Sequence, residues 1–413
     1  MKKENQPNRF EVLKIANFRN YIIARVAATF GVTMLSTIVF KQVFDLTKDE
    51  WAVGLIGAAE FIPFSVVILY AGYLTDIFDR RHIIQICNTI YAFAAFGLFW
   101  YSLHSETLLK SYGLLPIYGF MFVIGTVRGF LSPAQSAFMP MLIPKEKLSE
   151  GINFGTMVWH FSAICGPAAA GLLYAYQGAS AVYGTTFFLA MVSVLMFFRI
   201  RILNPPRIET RKEGALQSIS KGLRFVFDNQ IILGSISLDM FAVLFGGAVA
   251  MLPAYAEKIL MTDAVGYGWL RAAPAMGAFL MGWAITRWQP RVGAGRILLW
   301  SVAGFGAATL VFALSGNFFL SFVALALTGA FDNVSMVIRG IIVPKYTPDE
   351  MRGRVGAVNG LFIGSSNELG AFESGFAARM MGLQPSVIFG GLMTLIVVAL
   401  TWRKAPKLRD LDL

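Results

Sequence analysis

The sequence predicts an all-α membrane protein, with twelve transmembrane helices arranged in two six-helix halves. The first observation is the composition, since 56% of the residues are hydrophobic and only 14% are charged, whereas about a quarter are charged in a soluble domain. The second is that the apolar residues form blocks of about twenty, the length a helix needs to cross the hydrocarbon core. The third is that the longest polar interruption, residues 200–229, falls between the sixth block and the seventh.

Each predicted span is an apolar block bounded by charged or turn-forming residues. The spans cover residues 20–42, 51–75, 83–103, 113–137, 151–176, 179–199, 230–253, 265–286, 296–315, 317–338, 355–378 and 384–402. The predicted domains follow from them. They are an N-terminal six-helix bundle over 1–199, a cytoplasmic central loop over 200–229 and a C-terminal six-helix bundle over 230–413.

The basic residues predict the orientation. With both termini placed in the cytoplasm, inside segments carry 27 of the 35 Lys and Arg residues and outside loops carry five. Such an excess on cytoplasmic segments is the positive-inside pattern. It explains the net charge of +11 without a nucleic-acid partner. The polar first twenty residues do not resemble a cleavable signal peptide.

Motif searches argue against an enzyme. The sequence has no P-loop, no His-Glu-x-x-His, no Cys-x-x-Cys and no nucleophile elbow, so neither ATP hydrolysis nor a metal site is expected. The two cysteines, Cys87 and Cys165, lie in apolar blocks and form no disulfide pattern. We expect no cofactor.

The two halves share local sequence. Pro144-Lys145 follows the fourth span and Pro344-Lys345 follows the tenth. Two parallel six-helix repeats are the arrangement in which rocking of the halves gives alternating access to a site at the midplane. The alternative is that unrelated helix–loop junctions look alike.

A signature follows the second span. Gly72-Tyr-Leu-Thr-Asp76-Ile-Phe-Asp79-Arg80-Arg81 resembles the loop motif of the major facilitator superfamily, with Ile77 and Asp79 as departures from the usual pattern. Further stretches are similar to the branch of the superfamily that contains enterobactin exporters. They are Glu60–Pro63, Asp239–Gly247, Leu270–Pro274, Pro348–Arg354 and Ser365–Gly375.

The resemblance implies a secondary active transporter in a bacterial cytoplasmic membrane, with a small-molecule cargo and protons as its partners and the lipid bilayer around it. It implies proton-coupled efflux, with a siderophore of the enterobactin type as the first candidate cargo. Alternatives are a multidrug or macrolide-like pump, a lysophospholipid transporter, and a receptor or scaffold that keeps the fold without transport. A monomer is expected.

Two motifs predict moving parts. Gly72 permits close helix approach, Asp76 can cap a helix or pair with an arginine across the halves, and Arg80 and Arg81 serve mainly as cytoplasmic anchors. These four residues form the predicted cytoplasmic gate. Gly166, Pro167 and Gly171 resemble the antiporter motif of the fifth span, where a proline removes one backbone hydrogen bond and bends the helix. A simple structural kink is the alternative.

Ionisable residues inside the spans are the candidate pathway residues, because each costs at least about 2.5 kcal/mol to insert. They are Arg25, Glu60, Arg128, Asp239, Arg271, Asp332, Glu368 and Glu373. Glu60, Asp239 and Asp332 lie deepest and are the predicted proton carriers, with Arg25 or Arg128 as partners. For any one residue, a fixed ion pair between helices is the alternative. His160 is interpreted as structural.

Overall fold

The computed structural model describes residues 11–201, 215–287 and 292–412, and these contain helices and turns but no strand. Five short 3-10 turns accompany the α-helices. The helices are α1 (Ala16–Thr47), α2 (Glu50–Ile77), α3 (Arg80–Leu103), α4 (Ser105–Tyr112), α5 (Leu115–Phe138), α6 (Leu148–Arg199), α7 (Ala215–Asp228), α8 (Gln230–Phe245), α9 (Leu252–Lys258), α10 (Ala264–Ile285), α11 (Ala294–Leu314), α12 (Phe318–Lys345), α13 (Arg352–Met381), α14 (Leu383–Lys404) and α15 (Pro406–Arg409).

The helices supply twelve membrane spans, which confirms the predicted class. Helix α6 contains two of them, because its one non-helical residue, Gly178, has a φ of 76° that glycine adopts without strain. Helices α8 and α9, joined by the 3-10 turn Ala248–Met251, form the seventh span. Large apolar side chains such as Phe93, Trp100 and Phe319 are exposed, as expected of a surface that faces lipid.

Side-chain caps fix where several spans begin. Asp49 accepts a hydrogen bond from the backbone N–H of Trp51, and Asp79 accepts one from that of Arg81. Asn229 caps α8 in the same way. Each cap satisfies N–H groups that have no partner within the helix, so the polar residues between apolar blocks set the boundaries of the spans.

Helix packing repeats from one half to the other. In the first half, α2 packs on α5, α5 on α3, and α3 on α6. In the second half, α10 packs on α12, α12 on α11, and α11 on α14. The halves meet through two helix pairs, α2 with α13 and α6 with α10, and these pairs are equivalent under exchange of the halves.

Glycines bring the paired helices together at one end of the bundle. A Cβ added to Gly375 on α13 would stand 2.5 Å from the Cα of Gly54 on α2. Gly171 on α6 and Gly268 on α10 meet in the same way. Small residues permit this separation in a membrane, where packing rather than hydrophobicity joins helices. We call this end, where α1 ends and α2 begins, the closed end.

The same two helices separate toward their other ends. Phe64 on α2 still contacts Gly364 on α13. Gly72 and Gly356 follow in the same antiparallel register, and no atom of the described residues lies within 4 Å of a Cβ built at either of them. Helix α7 contacts both α2 and α13 there. We call this end the open end.

We predict that Gly375→Ala destabilises the closed end, because the added methyl has no space. Overpacking of this kind costs about 1–3 kcal/mol, so the unfolding temperature of the purified protein should fall. Gly356→Ala on the same helix is the matched control and should leave it unchanged or raise it slightly. Equal effects of the two variants would contradict the close approach at Gly54.

Candidate transport site

A central cavity lies between the two halves. Its volume is about 580 Å³, within the range of sites for small organic ligands. Both halves line it. The first half contributes Thr33, Phe40, Glu60, Tyr91, Arg128 and Trp159, and the second contributes Arg271, Phe305, Phe312, Asp332, Asn367 and Glu368, among others.

One arginine bridges carboxylates of the two halves at the wall of this cavity. The Nη1 atom of Arg128 on α5 lies 2.5 Å from Glu60 Oε2 on α2 and 2.5 Å from Glu368 Oε1 on α13. Both carboxylates are buried, while the Arg128 side chain keeps 37% of its exposure. The structure thus pairs Glu60 with Arg128, one of its two predicted partners, and adds Glu368, which the sequence offered as a further candidate.

The bridge lies near the middle of the membrane. Glu60 is ten residues into α2, which places it about 15 Å from the helix start at 1.5 Å per residue. Tyr91 of α3 lines the cavity with them, and its buried hydroxyl has no hydrogen-bond partner among the described residues. An unpaired polar group at this depth is costly, so the cavity wall has unused hydrogen-bonding capacity.

A second ion pair lies within the C-terminal half. Arg339 Nη2 on α12 is 2.5 Å from Asp239 Oδ1 on α8, and both side chains are buried. Arg339 Nε also donates to Ser335 Oγ at 3.2 Å. Asp332, two turns before Arg339, interacts with it electrostatically and faces the central cavity.

Arg339 is a site residue that the sequence did not predict. The predicted tenth span ends at residue 338, which places Arg339 in a cytoplasmic loop, but α12 continues to Lys345. The available signal was the seven-residue spacing from Asp332, which places the two side chains on nearly the same helix face. The predicted arginine partners of the acids were Arg25 and Arg128, and Arg339 adds a third arginine to that set.

Other candidates have separate positions. Arg271 lines the cavity, donates to the Val249 carbonyl at 3.4 Å and faces the Phe40 ring at 5.7 Å. Arg25 donates to Tyr21 Oη at 2.9 Å and is not among the cavity-lining residues. Glu373 lies on α13 but is likewise not among them, and His160 packs edge-on against Phe279.

The gate motif lies at the open end. Arg81 donates to the carbonyls of Phe197 and Phe198, at 3.2 and 3.1 Å, and Arg80 donates to those of Thr75 and Ala137. These bonds tie helices of the N-terminal half together. The side chain of Asp76 lies outside the described part of the chain.

The predicted bend lies on the seam between the halves. Pro167 and Gly171 of α6 face Gly268 of α10, and Gly166 faces Thr33 of α1. Thr33 Oγ1 donates to the Ser162 carbonyl at 2.9 Å. Backbone φ and ψ stay helical through Pro167, so the motif serves close contact of the helices.

Ion pairs across the halves hold the closed end. Lys48 at the end of α1 contacts Glu257 of α9 at 2.6 Å, and Lys258 contacts Glu50 of α2 at 2.6 Å. Lys41 joins Asp45 and reaches Glu257 at 3.5 Å. We call these six residues, Lys41, Asp45, Lys48, Glu50, Glu257 and Lys258, the latch.

The ion pairs that Lys48 makes in the latch do not depend on pH near neutrality. Partial burial opposes its charge, but the hydrogen bonds to Glu257 and Asp45 outweigh burial and raise the pKa of Lys48 above its ordinary value. A raised lysine pKa means that its stabilisation is complete below the ordinary value of about 10.4. That stabilisation is lost only as the pH rises through the raised pKa.

Two six-helix halves around a charged cavity, closed at one end and open at the other, define a transporter of the major facilitator class. The chain belongs to the transmembrane secretion effector family of that superfamily, which matches it over residues 8–413. Proteins of this family are transporters rather than enzymes.

Comparison with known proteins supports the assignment. The chain is 26% identical over 406 residues to the enterobactin exporter EntS of Escherichia coli O1:K1 / APEC, covering 94% of each chain, and equally so to that of strain E24377A / ETEC. Among solved structures it matches a bacterial homologue of the lysosomal transporter Spinster, inward-facing and unoccupied, with a TM-score of 0.73 and 13% identity, covering 98% of this chain and 99% of that one. It matches a D-xylose–proton symporter with a TM-score of 0.70 and 14% identity, with the same coverage.

We predict that Glu50→Lys opens the closed end, because two lysines would then face each other across the seam. A partly exposed pair is worth about 0.2–1 kcal/mol, and reversal adds repulsion. The measurement is the distance between spin labels at Glu106 and Met261, with Cys87 and Cys165 replaced by Ser, and it should lengthen.

The double reversal, Glu50→Lys with Lys258→Glu, is the control and should restore the wild-type distance distribution. A label distance that stays the same in the single variant would show that the ion pair does not hold the halves together.

Proposed function

We propose that the protein is a proton-coupled exporter of a small organic molecule in a bacterial inner membrane, with both termini in the cytoplasm. The observation that carries this proposal is the Arg128 bridge, which joins Glu60 and Glu368 of opposite halves beside the cavity. The positive-inside count then assigns the open end to the cytoplasm, so the structure corresponds to an inward-facing state.

The bridge links proton binding to the movement of the halves. Opening of the closed end separates α2 from α13, so Arg128 cannot keep both carboxylates. The carboxylate that loses Arg128 is left charged in a poorly solvated site, which favours its protonation. A proton taken up from outside in this way is released to the cytoplasm when the bridge forms again.

Asp239, Arg339 and Asp332 provide a second proton site in the same proposal. Arg339 holds Asp239 at 2.5 Å, while Asp332 lines the cavity. Competition of the two acids for one arginine makes Asp332 the acid that exchanges protons. Glu373 and Arg25, which lie away from the cavity lining, have structural roles in this scheme.

The proposed moving bodies are residues 1–199 and 230–413, connected by the central segment 200–229. They rock as two halves within a monomer. The latch, the bend motif and the Arg128 bridge all lie on the seam between these two bodies. Asp76 keeps its proposed place in the cytoplasmic gate, closing the open end when the latch opens.

A siderophore of the enterobactin type is the proposed cargo, because the matched relatives carry the name enterobactin exporter and cover 94% of this chain. A multidrug or macrolide-like pump, a lysophospholipid transporter and a receptor without transport activity are the alternatives. Proteoliposomes supplied with enterobactin, ethidium or lysophosphatidylethanolamine under an imposed pH gradient distinguish them. Enterobactin movement that depends on the gradient supports the proposal. If the gradient drives only another probe, the proposed cargo is wrong and that probe's class takes its place.

We predict that Glu60→Gln and Glu368→Gln each abolish gradient-driven enterobactin flux while the protein stays folded. Glutamine keeps the shape and one hydrogen bond to Arg128 but cannot carry a proton or a charge. Glu106→Gln, at an exposed position on α4, is the matched control and should transport normally. Full flux in both bridge variants would remove the bridge from the coupling mechanism.

A further inference from the structure

We infer that Arg271 forms an anion-binding subsite at the closed end of the central cavity, for a cargo that carries an aromatic ring and an acidic oxygen. This inference rests on the proposed function, since it assumes that cargo occupies the cavity. It concerns the chemical class of the cargo, which the fold alone does not specify.

Arg271 differs from the other arginines of the site. Arg128 contacts two carboxylates and Arg339 contacts one. Arg271 has no carboxylate at ion-pair distance among the described residues, and its hydrogen bond to the Val249 carbonyl is long at 3.4 Å. A cation at membrane depth is costly unless it is paired. An anionic group of a ligand would supply the partner that the chain does not.

Aromatic surface and an unused hydroxyl lie in the same cavity. Phe40, Phe305, Phe312 and Trp159 line it, and such side chains pair with a flat ligand ring in offset-stacked or edge-to-face arrangements. Tyr91 is 95% buried and its hydroxyl has no partner among the described residues. The hydroxyl can donate to or accept from an oxygen of the ligand. Among the described residues, the lining therefore combines an arginine that has no carboxylate partner with aromatic surfaces and an unpaired hydroxyl.

The position of Arg271 connects binding to opening. It lies seven residues into α10, about 10 Å from the closed end, and its guanidinium faces the Phe40 ring of the opposite half. One turn earlier, Tyr267 Oη donates to the Thr37 carbonyl at 2.7 Å across the same seam. An anion that binds Arg271 competes with Phe40, so it weakens this seam and favours opening of the latch.

The test compares two probes of matched shape, 2-naphthoate and 2-naphthamide, by isothermal titration calorimetry on the purified full chain at pH 7. The wild type should bind naphthoate at least about tenfold more tightly, as expected for a hydrogen bond to a charged group. Arg271→Gln should remove this preference, and Arg271→Lys should keep part of it. The control is Arg287→Gln, which removes a charge just after the end of α10, where Arg287 lies over the Trp283 ring. This variant should bind both probes like the wild type.

A second readout follows conformation. Naphthoate, but not naphthamide, should lengthen the distance between spin labels at Glu106 and Met261 in the wild type, and this response should be lost in Arg271→Gln. Equal affinities of the two probes in the wild type, absence of naphthoate binding, or unchanged preference in Arg271→Gln would each overturn the subsite. None of these outcomes bears on enterobactin flux in the Glu60→Gln and Glu368→Gln variants. The proposed function is therefore tested independently of the Arg271 subsite.

Discussion

The sharing of Arg128 between Glu60 and Glu368 is the interaction on which the architecture of the site depends. Buried carboxylates and an arginine are stable at mid-membrane only as a paired group, and loss of one partner from a buried pair costs about 3–5 kcal/mol. Because the two carboxylates belong to opposite halves, both can contact Arg128 only while the halves are close. The pairing of Arg128 with the two carboxylates and the separation of α2 from α13 therefore depend on each other.

The closed end of the seam combines close backbone approach with side-chain contacts between the halves. At the closed end, backbones meet through Gly54 and Gly375, and Trp51 of α2 packs against Phe372 and Phe376 of α13 beside them. The latch pairs are partly exposed and individually weak. Exposed ion pairs of this kind break at modest cost.

The fold was predictable from the sequence because the bilayer imposes one length and one composition on each span. The site was predictable only in part. Depth in a span identified Glu60, Asp239 and Asp332 as unusual, but pairing depends on where a helix ends and how it is rotated. Arg339 shows this: a span end placed at residue 338 instead of 345 turned a buried partner of Asp239 into a loop residue. Similarly, Glu368 and Glu373 are indistinguishable by composition, and only packing of α13 on α2 selects Glu368.

In the proposed mechanism, cargo binds at an arginine that lies apart from the residues proposed to carry protons. If cargo bound directly to the Arg128 bridge, it would compete with Glu60 and Glu368 and take over the role of the proton. Arg271 lies nearer the closed end and has no carboxylate of its own among the described residues. In the proposed mechanism, these separate positions let cargo and protons act on the same seam through different contacts, so that one can be exchanged for the other.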